Sequence, residues 1–314
     1  MKIAFFDMPE KQKEVMETLL PGLDVSYYEE KLCSESVIKV LDAEIISVFI
    51  DSNVSKEVID ALPNLKLIST RSTGFDHIDV LYAKLKGIAV VSVPAYGSRT
   101  VAEFAFGLIL ALSRKLYDAS MRIKMKMSYD ISAFQGFDLY GKTLGVIGTG
   151  RIGKNSVLIG KGFGMKIIAT DVYRDLEFAK ENDVEYVSLE KLLSLSDVIT
   201  VHAPYNPSTH HLINGQNIDK IKRGAVLVNT ARGEIVETDA LVKALQSGIL
   251  SGAGLDVLEK DNKANQLLID MPNVIVTPHI AFSSREAIAE IIKTTADNIL
   301  SFINGTPKNI VEIK

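Results

Sequence analysis

The chain has 314 residues, of which 47% are hydrophobic and 24% charged. At roughly 150 residues per domain this allows about two domains, and the composition excludes disorder, collagen-like repeats and low complexity. With 35 basic and 39 acidic side chains the net charge is −4, so nothing in the balance points to a nucleic acid or a membrane surface as partner. The single cysteine, Cys33, excludes an intrachain disulfide and a cysteine-cluster metal or iron–sulfur site. It fits a reducing, cytoplasmic setting. The N-terminus meets an acid at Asp7, too early for a signal peptide. The apolar stretch Phe104–Leu112 is too short to span a bilayer.

Lys2–Phe6 reads as a strand, and Glu10–Leu20 as a helix stopped by Pro21 and Gly22. Asp24–Tyr28 and Glu44–Ile50 follow as strands, Lys56–Leu62 as a short helix before Pro63, and Lys66–Ser69 and Ala89–Ser92 as further strands. This βαβ rhythm predicts a parallel sheet covered by helices. Near Ser98 the pattern changes: Thr100–Arg114 is a long apolar helix continuing less clearly toward Met127, and Ser128–Gly141 reads as loop. A second βαβ series opens at Thr143. Its strands are expected at Thr143–Ile147, Lys166–Thr170, Val198–Val201, Ala225–Asn229, Gly252–Asp256 and Val274–Thr277, with helices between them such as Glu190–Leu195 and Thr238–Gln246. Ser284–Ile303 is a last amphipathic helix, with Ile288, Ile291, Ile292, Thr295 and Ile299 at helical spacing. The alternating tail Lys308–Ile313 can return to the first sheet as an edge segment.

The strongest single motif is Gly148-Thr149-Gly150-Arg151-Ile152-Gly153, which follows an apolar strand and opens a helix. Gly148 allows a tight turn, Gly150 lets a pyrophosphate approach the backbone, and Gly153 permits close helix–strand packing. The helix N-terminus offers unpaired N–H groups and partial positive charge to the phosphates. The next strand ends at Asp171, where an acid binds the adenosine ribose diol and repels a 2′-phosphate. That favours NAD over NADP, with Arg174 nearby as the opposing signal.

Three further stretches carry candidate chemistry. Arg232, in Asn229-Thr230-Ala231-Arg232-Gly233, follows a strand, and ligands bind at that edge of an open α/β sheet. A guanidinium there can grip a carboxylate bidentately, although alone it would pass for a surface arginine. His279, in Thr277-Pro278-His279-Ile280-Ala281-Phe282, also lies just beyond a strand and is a natural proton donor at neutral pH; a backbone-bonded structural histidine is the alternative. An acid beside His279 would hold it protonated, and Asp256, Glu259 and Asp261 are all candidates. The adjacent His210 and His211 make a poor metal pair and read as a polar loop, and no metal site is expected. His202 can line a cofactor groove or be structural, and the turn Ser72–His77 can hold an anion on its amides. Cys33 reads as structural.

Together these features resemble the D-isomer-specific 2-hydroxyacid dehydrogenases over nearly the whole chain. The resemblance rests on Arg71–Asp79, Pro94–Ser98, Val101–Glu103, Gly145–Gly153, Asn229–Gly233, Gly254–Glu259 and Thr277–Phe282. Tyr96 and Phe282 match the D-lactate dehydrogenase branch. The resemblance implies an α/β architecture of two doubly wound parallel-sheet domains, Rossmann-like and flavodoxin-like, with the active site in the cleft between them. It implies a discontinuous substrate domain, residues 1–98 with 284–314, around an NAD-binding domain, residues 99–283. A small 2-oxo or 2-hydroxy acid is the implied partner, and a homodimer the implied assembly. Arg232 would bind and polarise the 2-oxo acid, His279 would protonate the carbonyl oxygen, and Thr73 and Gly74 would hold the substrate carboxylate, with Tyr96 and Phe282 lining the substrate. Arg151, Ile152, Ala203, Pro204, Thr209, Thr230 and Asp256 would join Gly148, Gly150, Gly153 and Asp171 around NAD. One departure stands out. The family's histidine-pairing acid, five residues after the aspartate of Gly254-Leu255-Asp256, is usually glutamate and here is Asp261. Asp261 is the expected partner of His279, with Glu259 as the alternative.

Overall fold

The computed structural model describes residues 1–125 and 131–312. The chain forms two compact units, Met1–Tyr96 with Ser284–Lys314, and Gly97–Ser283. The first opens with β1 (Lys2–Phe5), α1 (Glu10–Leu19), β2 (Asp24–Tyr27), β3 (Ile45–Val48), α2 (Lys56–Asp60), β4 (Leu67–Thr70), α3 (Val80–Leu85) and β5 (Ala89–Val91). The second contains α4 (Ser98–Ser113), α5 (Leu116–Lys124), β6 (Thr143–Ile147), α6 (Arg151–Gly162), β7 (Lys166–Thr170), α7 (Leu176–Glu181), β8 (Val184–Tyr186), α8 (Leu189–Leu195), β9 (Val198–Val201), β10 (Ala225–Asn229), α9 (Thr238–Gln246), β11 (Leu250–Leu255), α10 (Asn265–Asp270) and β12 (Val274–Val276). The chain then returns to the first unit with α11 (Arg285–Ile303).

In the first unit five parallel strands lie in the order β2-β1-β3-β4-β5, the flavodoxin-like order. β3 and β4 are buried at every residue, as strands covered on both faces must be. Successive side chains feed opposite cores. Ile3, Phe5, Ile45 and Leu67 pack with Ile292, Ala296 and Ile299 of α11, whereas Ala4, Ile46 and Ile68 pack with Val58 and Ile59 of α2 and Ala83 of α3. Ser284 caps α11, accepting from the Ala287 N–H at 3.1 Å. The tail does return as an edge segment: Ile310 bridges Val91 antiparallel, and the Val311 N–H donates to the Val90 carbonyl at 2.8 Å.

In the second unit seven parallel strands lie in the order β8-β7-β6-β9-β10-β11-β12. Counted from β6 this is 3-2-1-4-5-6 with one strand added, the Rossmann order. α4 covers one face through Ala105, Phe106, Leu108, Ile109 and Leu112 against Leu144, Val146, Val226 and Val228. α8 and α9 cover the other through Leu192, Leu193, Ala240, Leu241 and Leu245 against Ile147, Ile199, Val201, Leu227 and Leu255. The apolar helix expected to run on from Arg114 is instead two helices. Lys115 takes a left-handed backbone (φ 53°), which ends α4 and starts α5. Met127 and Ser128 lie outside the described residues. Among the described residues no helix is long and apolar enough to cross a membrane.

Candidate active site

The glycine-rich turn sits at the carboxyl end of β6, where the order reverses between β6 and β9. Gly148 has φ 89°, and a Cβ there would lie 2.8 Å from the backbone of His202 and Ala203. Only glycine meets both demands. A Cβ on Gly153 would fall 1.9 Å from the Gly148 carbonyl oxygen, so α6 is docked backbone to backbone on the turn. A Cβ on Gly150, in contrast, would meet no atom within 4 Å among the described residues beyond its chain neighbours. That open space at the N-terminus of α6 is the cradle a pyrophosphate needs. Arg151 is exposed and Ile152 half-buried in the first helical turn.

Asp171, just after β7, accepts from the Thr149 N–H at 2.6 Å, the Thr149 hydroxyl at 3.1 Å and the Tyr173 N–H at 2.9 Å. The Thr149 hydroxyl also meets the Tyr186 hydroxyl at 2.8 Å. A carboxylate has about four acceptor sites, so Asp171 keeps capacity for a ribose diol. Beyond β9, Ala203 is buried and Pro204 exposed, and the Thr209 hydroxyl donates to the Pro204 carbonyl at 2.7 Å. Thr230, after β10, is buried, and its hydroxyl has no partner among the described residues. A cradle, a placed acid and an orphaned buried hydroxyl fit a dinucleotide.

His202 does not face this chemistry as a proton carrier. Its Nε2 lies 2.9 Å from both the Ser156 hydroxyl of α6 and the Thr200 hydroxyl of β9. Burial pushes its pKa down to about 3, so the ring is neutral and ties α6 to the sheet.

The candidate reactive residues lie on loops after β10, β11 and β12, three adjacent strands. Arg232 has an extended backbone (φ −142°); its guanidinium donates to the Ala231 carbonyl at 2.8 Å, and its own carbonyl accepts from the Asn229 amide at 2.8 Å. Asp256 is 1% exposed. Its carboxylate takes the Thr277 hydroxyl, the Ile280 N–H at 2.9 Å and the Ala281 N–H at 2.8 Å. The His279 N–H donates to the Asp256 carbonyl at 2.9 Å. Asp256 therefore folds the loop that presents His279, which stands in a left-handed conformation (φ 54°) with the Phe282 ring edge-on, centroids 6.4 Å apart.

The acids beside them divide. Glu259 is taken by His211, Nε2 to Oε1 at 2.8 Å, and by the Asn262 amide at 3.0 Å. Glu259 is thus engaged by His211, and His211 is no idle loop residue. Asp261 stands exposed on the same loop with φ 54°. Among the described residues no group of three or more His, Cys, Asp or Glu side chains could hold a metal ion.

In the first unit the expected anion turn follows β4. The Ser72 hydroxyl donates to the Gly74 carbonyl at 2.6 Å, the Thr73 hydroxyl to the Val93 carbonyl at 2.8 Å, and the Thr70 hydroxyl lies 3.1 Å from His77 Nε2. Thr73 is exposed, and Tyr96 is half-buried after Ala95, which has φ 69°. Arg71 turns inward: it is 1% exposed and donates to the Ser47 hydroxyl at 3.1 Å and the carbonyls of Phe6 and Asp7 at 2.5 and 2.8 Å. Sequence reasoning missed this buried cation, because an arginine beside a turn looks like part of the anion site.

Residues 106–281 match the family model of the D-isomer specific 2-hydroxyacid dehydrogenase NAD binding domain. The chain is 38% identical over 278 residues to a glyoxylate reductase of Korarchaeum cryptofilum, covering 87% of this chain and 84% of that protein. It is 34% identical over 319 residues to a glycerate dehydrogenase of Methylorubrum extorquens, covering 99% of each. Its fold is similar to that of D-lactate dehydrogenase from Aquifex aeolicus complexed with NAD and lactic acid, with a TM-score of 0.92, 38% identity and 99% of each chain covered. With the turn after β6 fitted to a dinucleotide, and an arginine and a histidine on neighbouring strand ends, the chain belongs to the D-isomer-specific 2-hydroxyacid dehydrogenases, oxidoreductases that use NAD.

Proposed function

We propose that the chain reduces pyruvate to D-lactate. The observation that carries this reading is the similarity along 99% of the chain to a D-lactate dehydrogenase structure, joined to Tyr96 and Phe282 at the positions that mark that branch. NADH, when bound on the Gly148–Gly153 turn, supplies the hydride. Arg232 binds the 2-oxo acid and polarises its carbonyl, since a guanidinium offers paired donors where negative charge develops. His279 donates the proton to the carbonyl oxygen and takes it back in the reverse direction, a role worth about 10²–10⁴ in rate. The Thr73–Gly74 turn holds the carboxylate on its backbone. Asp261 supports the protonated form of His279. Aspartate is one methylene shorter than the family's glutamate, so Asp261→Glu is expected to raise kcat and Asp261→Asn to lower it.

Exposed apolar side chains on and beside α5, namely Leu116, Tyr117, Ile123 and Met125, offer a surface to a second copy. The proposed assembly is a homodimer, checked by sedimentation, and the proposed location is the cytoplasm.

A second reading has its own support: several of the most similar relatives are glyoxylate reductases. The test is NADH oxidation with pyruvate, glyoxylate, hydroxypyruvate and phenylpyruvate. The highest kcat/KM is expected with pyruvate. Glyoxylate ahead of pyruvate would install the second reading, and no turnover with any 2-oxo acid would overturn both.

A further inference from the structure

Glu259 is the meeting point of three loops at the carboxyl edge of the seven-stranded sheet. Its own loop follows β11. Its carboxylate reaches the loop after β9 through His211 Nε2 at 2.8 Å, and the loop after β10 through the Thr238 N–H at 3.3 Å, the first residue of α9. The Asn262 amide adds a bond at 3.0 Å, and the Glu259 carbonyl accepts from the Asn265 amide at 2.7 Å. The loop after β10 is the one that carries Arg232, and it is held on both sides. A Cβ on Gly233 would lie 2.0 Å from the Leu258 carbonyl carbon and 2.2 Å from the Glu259 nitrogen, so the residue next to Arg232 rests directly on the Glu259 backbone. From the other side, the His211 N–H donates to the Glu234 carbonyl at 2.8 Å, and Ile213 forms a parallel bridge with Val236.

We propose that Glu259, clamped by His211, is a positioning residue for Arg232: its carboxylate locks the loops after β9, β10 and β11 into one platform on which the substrate-gripping guanidinium is aimed. The proposal rests on the reading of Arg232 as the residue that grips the oxo acid. Burial pushes the Glu259 carboxyl up, but the hydrogen bonds from His211, Thr238 and Asn262 outweigh it and bring the pKa to about 2, so the anchor stays ionised at any working pH. His211 itself has φ 49° and stacks on His210 with ring centroids 3.9 Å apart, so its ring is aimed at Glu259 from a backbone that ordinary loops avoid. An arginine aimed at a planar carboxylate tolerates little error, because displacement of about 1 Å can cost about a hundredfold in rate.

The test compares Glu259→Ala, Glu259→Gln and His211→Ala with wild type in four measurements: oxo-acid KM and kcat, NADH affinity by fluorescence, oxamate binding to the enzyme–NADH complex, and thermal midpoint. Glu259→Ala is expected to raise KM for the oxo acid and weaken oxamate at least tenfold, with NADH affinity changed less than threefold. His211→Ala should follow it in part, and Glu259→Gln should recover part of the loss, because the amide oxygen can still accept. In an Arg232→Lys background Glu259→Ala should add little, since both act through one contact. A lowered thermal midpoint with oxamate binding unchanged would overturn the proposal in favour of a purely structural pair, as would full additivity with Arg232→Lys. If Arg232→Lys alone left oxamate binding intact, the reading of Arg232 would fail instead, which keeps the two failures apart.

Discussion

The two sheets treat their switch points in opposite ways. In the five-stranded sheet the order reverses between β1 and β3, and Arg71 reaches from the end of β4 into that gap, onto Ser47 of β3 and the carbonyls of Phe6 and Asp7 beyond β1. The crevice where an open α/β sheet binds a ligand is filled by the chain's own cation. Two aromatic rings, Phe5 and Phe49, lie 5.9 and 5.8 Å from the guanidinium. Burial lowers the Arg71 pKa to about 10, which leaves it charged at neutral pH. In the seven-stranded sheet the order reverses between β6 and β9, and the glycines there add nothing: the space above Gly150 stays open. One edge is built as a rigid support and the other as a receptor, and the difference lies in one side chain present and one absent.

That contrast can be broken at several points. Gly153→Val should have the largest effect, because its Cβ would sit 1.9 Å from the Gly148 carbonyl oxygen. The docking of α6 on the turn is lost, at a cost of about 3 kcal/mol from overpacking, read by urea unfolding, together with loss of NADH binding. Arg71→Met comes next. It strips donors from two buried carbonyls and removes the cation near the half-buried Asp7 carboxyl, whose pKa burial already pushes up. A loss of about 3 kcal/mol is expected, and a variant as stable as wild type would show that the plug is dispensable.

His202 gives a smaller, pH-dependent effect. Its ring has a pKa of about 3 in the fold against 6.5 unfolded, so only the unfolded chain takes up a proton between those values. Stability therefore falls as pH drops from 6.5 toward 3, by up to about 1.4 kcal/mol per pH unit. His202→Gln should flatten that slope in urea melts at pH 7.5, 6.5 and 5.5. Gly150→Ala is the smallest change in stability, within about 0.5 kcal/mol, because no atom of the described residues beyond its chain neighbours lies within 4 Å of the new methyl. It should nevertheless weaken NADH at least tenfold, since the methyl fills the cradle. Stability and affinity would then separate at Gly150 and fall together at Gly153.

Central strands were legible because they are short continuous apolar runs between helices. Thr143–Ile147, Lys166–Thr170, Val198–Val201 and Ala225–Asn229 match the expected ranges residue for residue. β8 escaped notice: it is three residues at the sheet edge, with Glu185 exposed, and carries no run to read. The break between α4 and α5 escaped because Lys115 gives no composition signal for its left-handed turn. In the candidate site, the glycine turn and Asp171 were legible because they lie on one contiguous βαβ unit whose spacing is itself the signal.

Local sequence thus determined the order of elements, the dinucleotide turn and the placement of Arg232 and His279 just beyond strands, since each is settled within a few residues of chain. Tertiary structure decided which acid serves which partner. Glu259 answers His211 across 48 residues of sequence, Asp256 folds the His279 loop across more than 20, and Arg71 reaches Phe6 across 65. Such pairings follow from strand order and from backbone turned left-handed at His211, Asp261 and His279, and no local spacing encodes them.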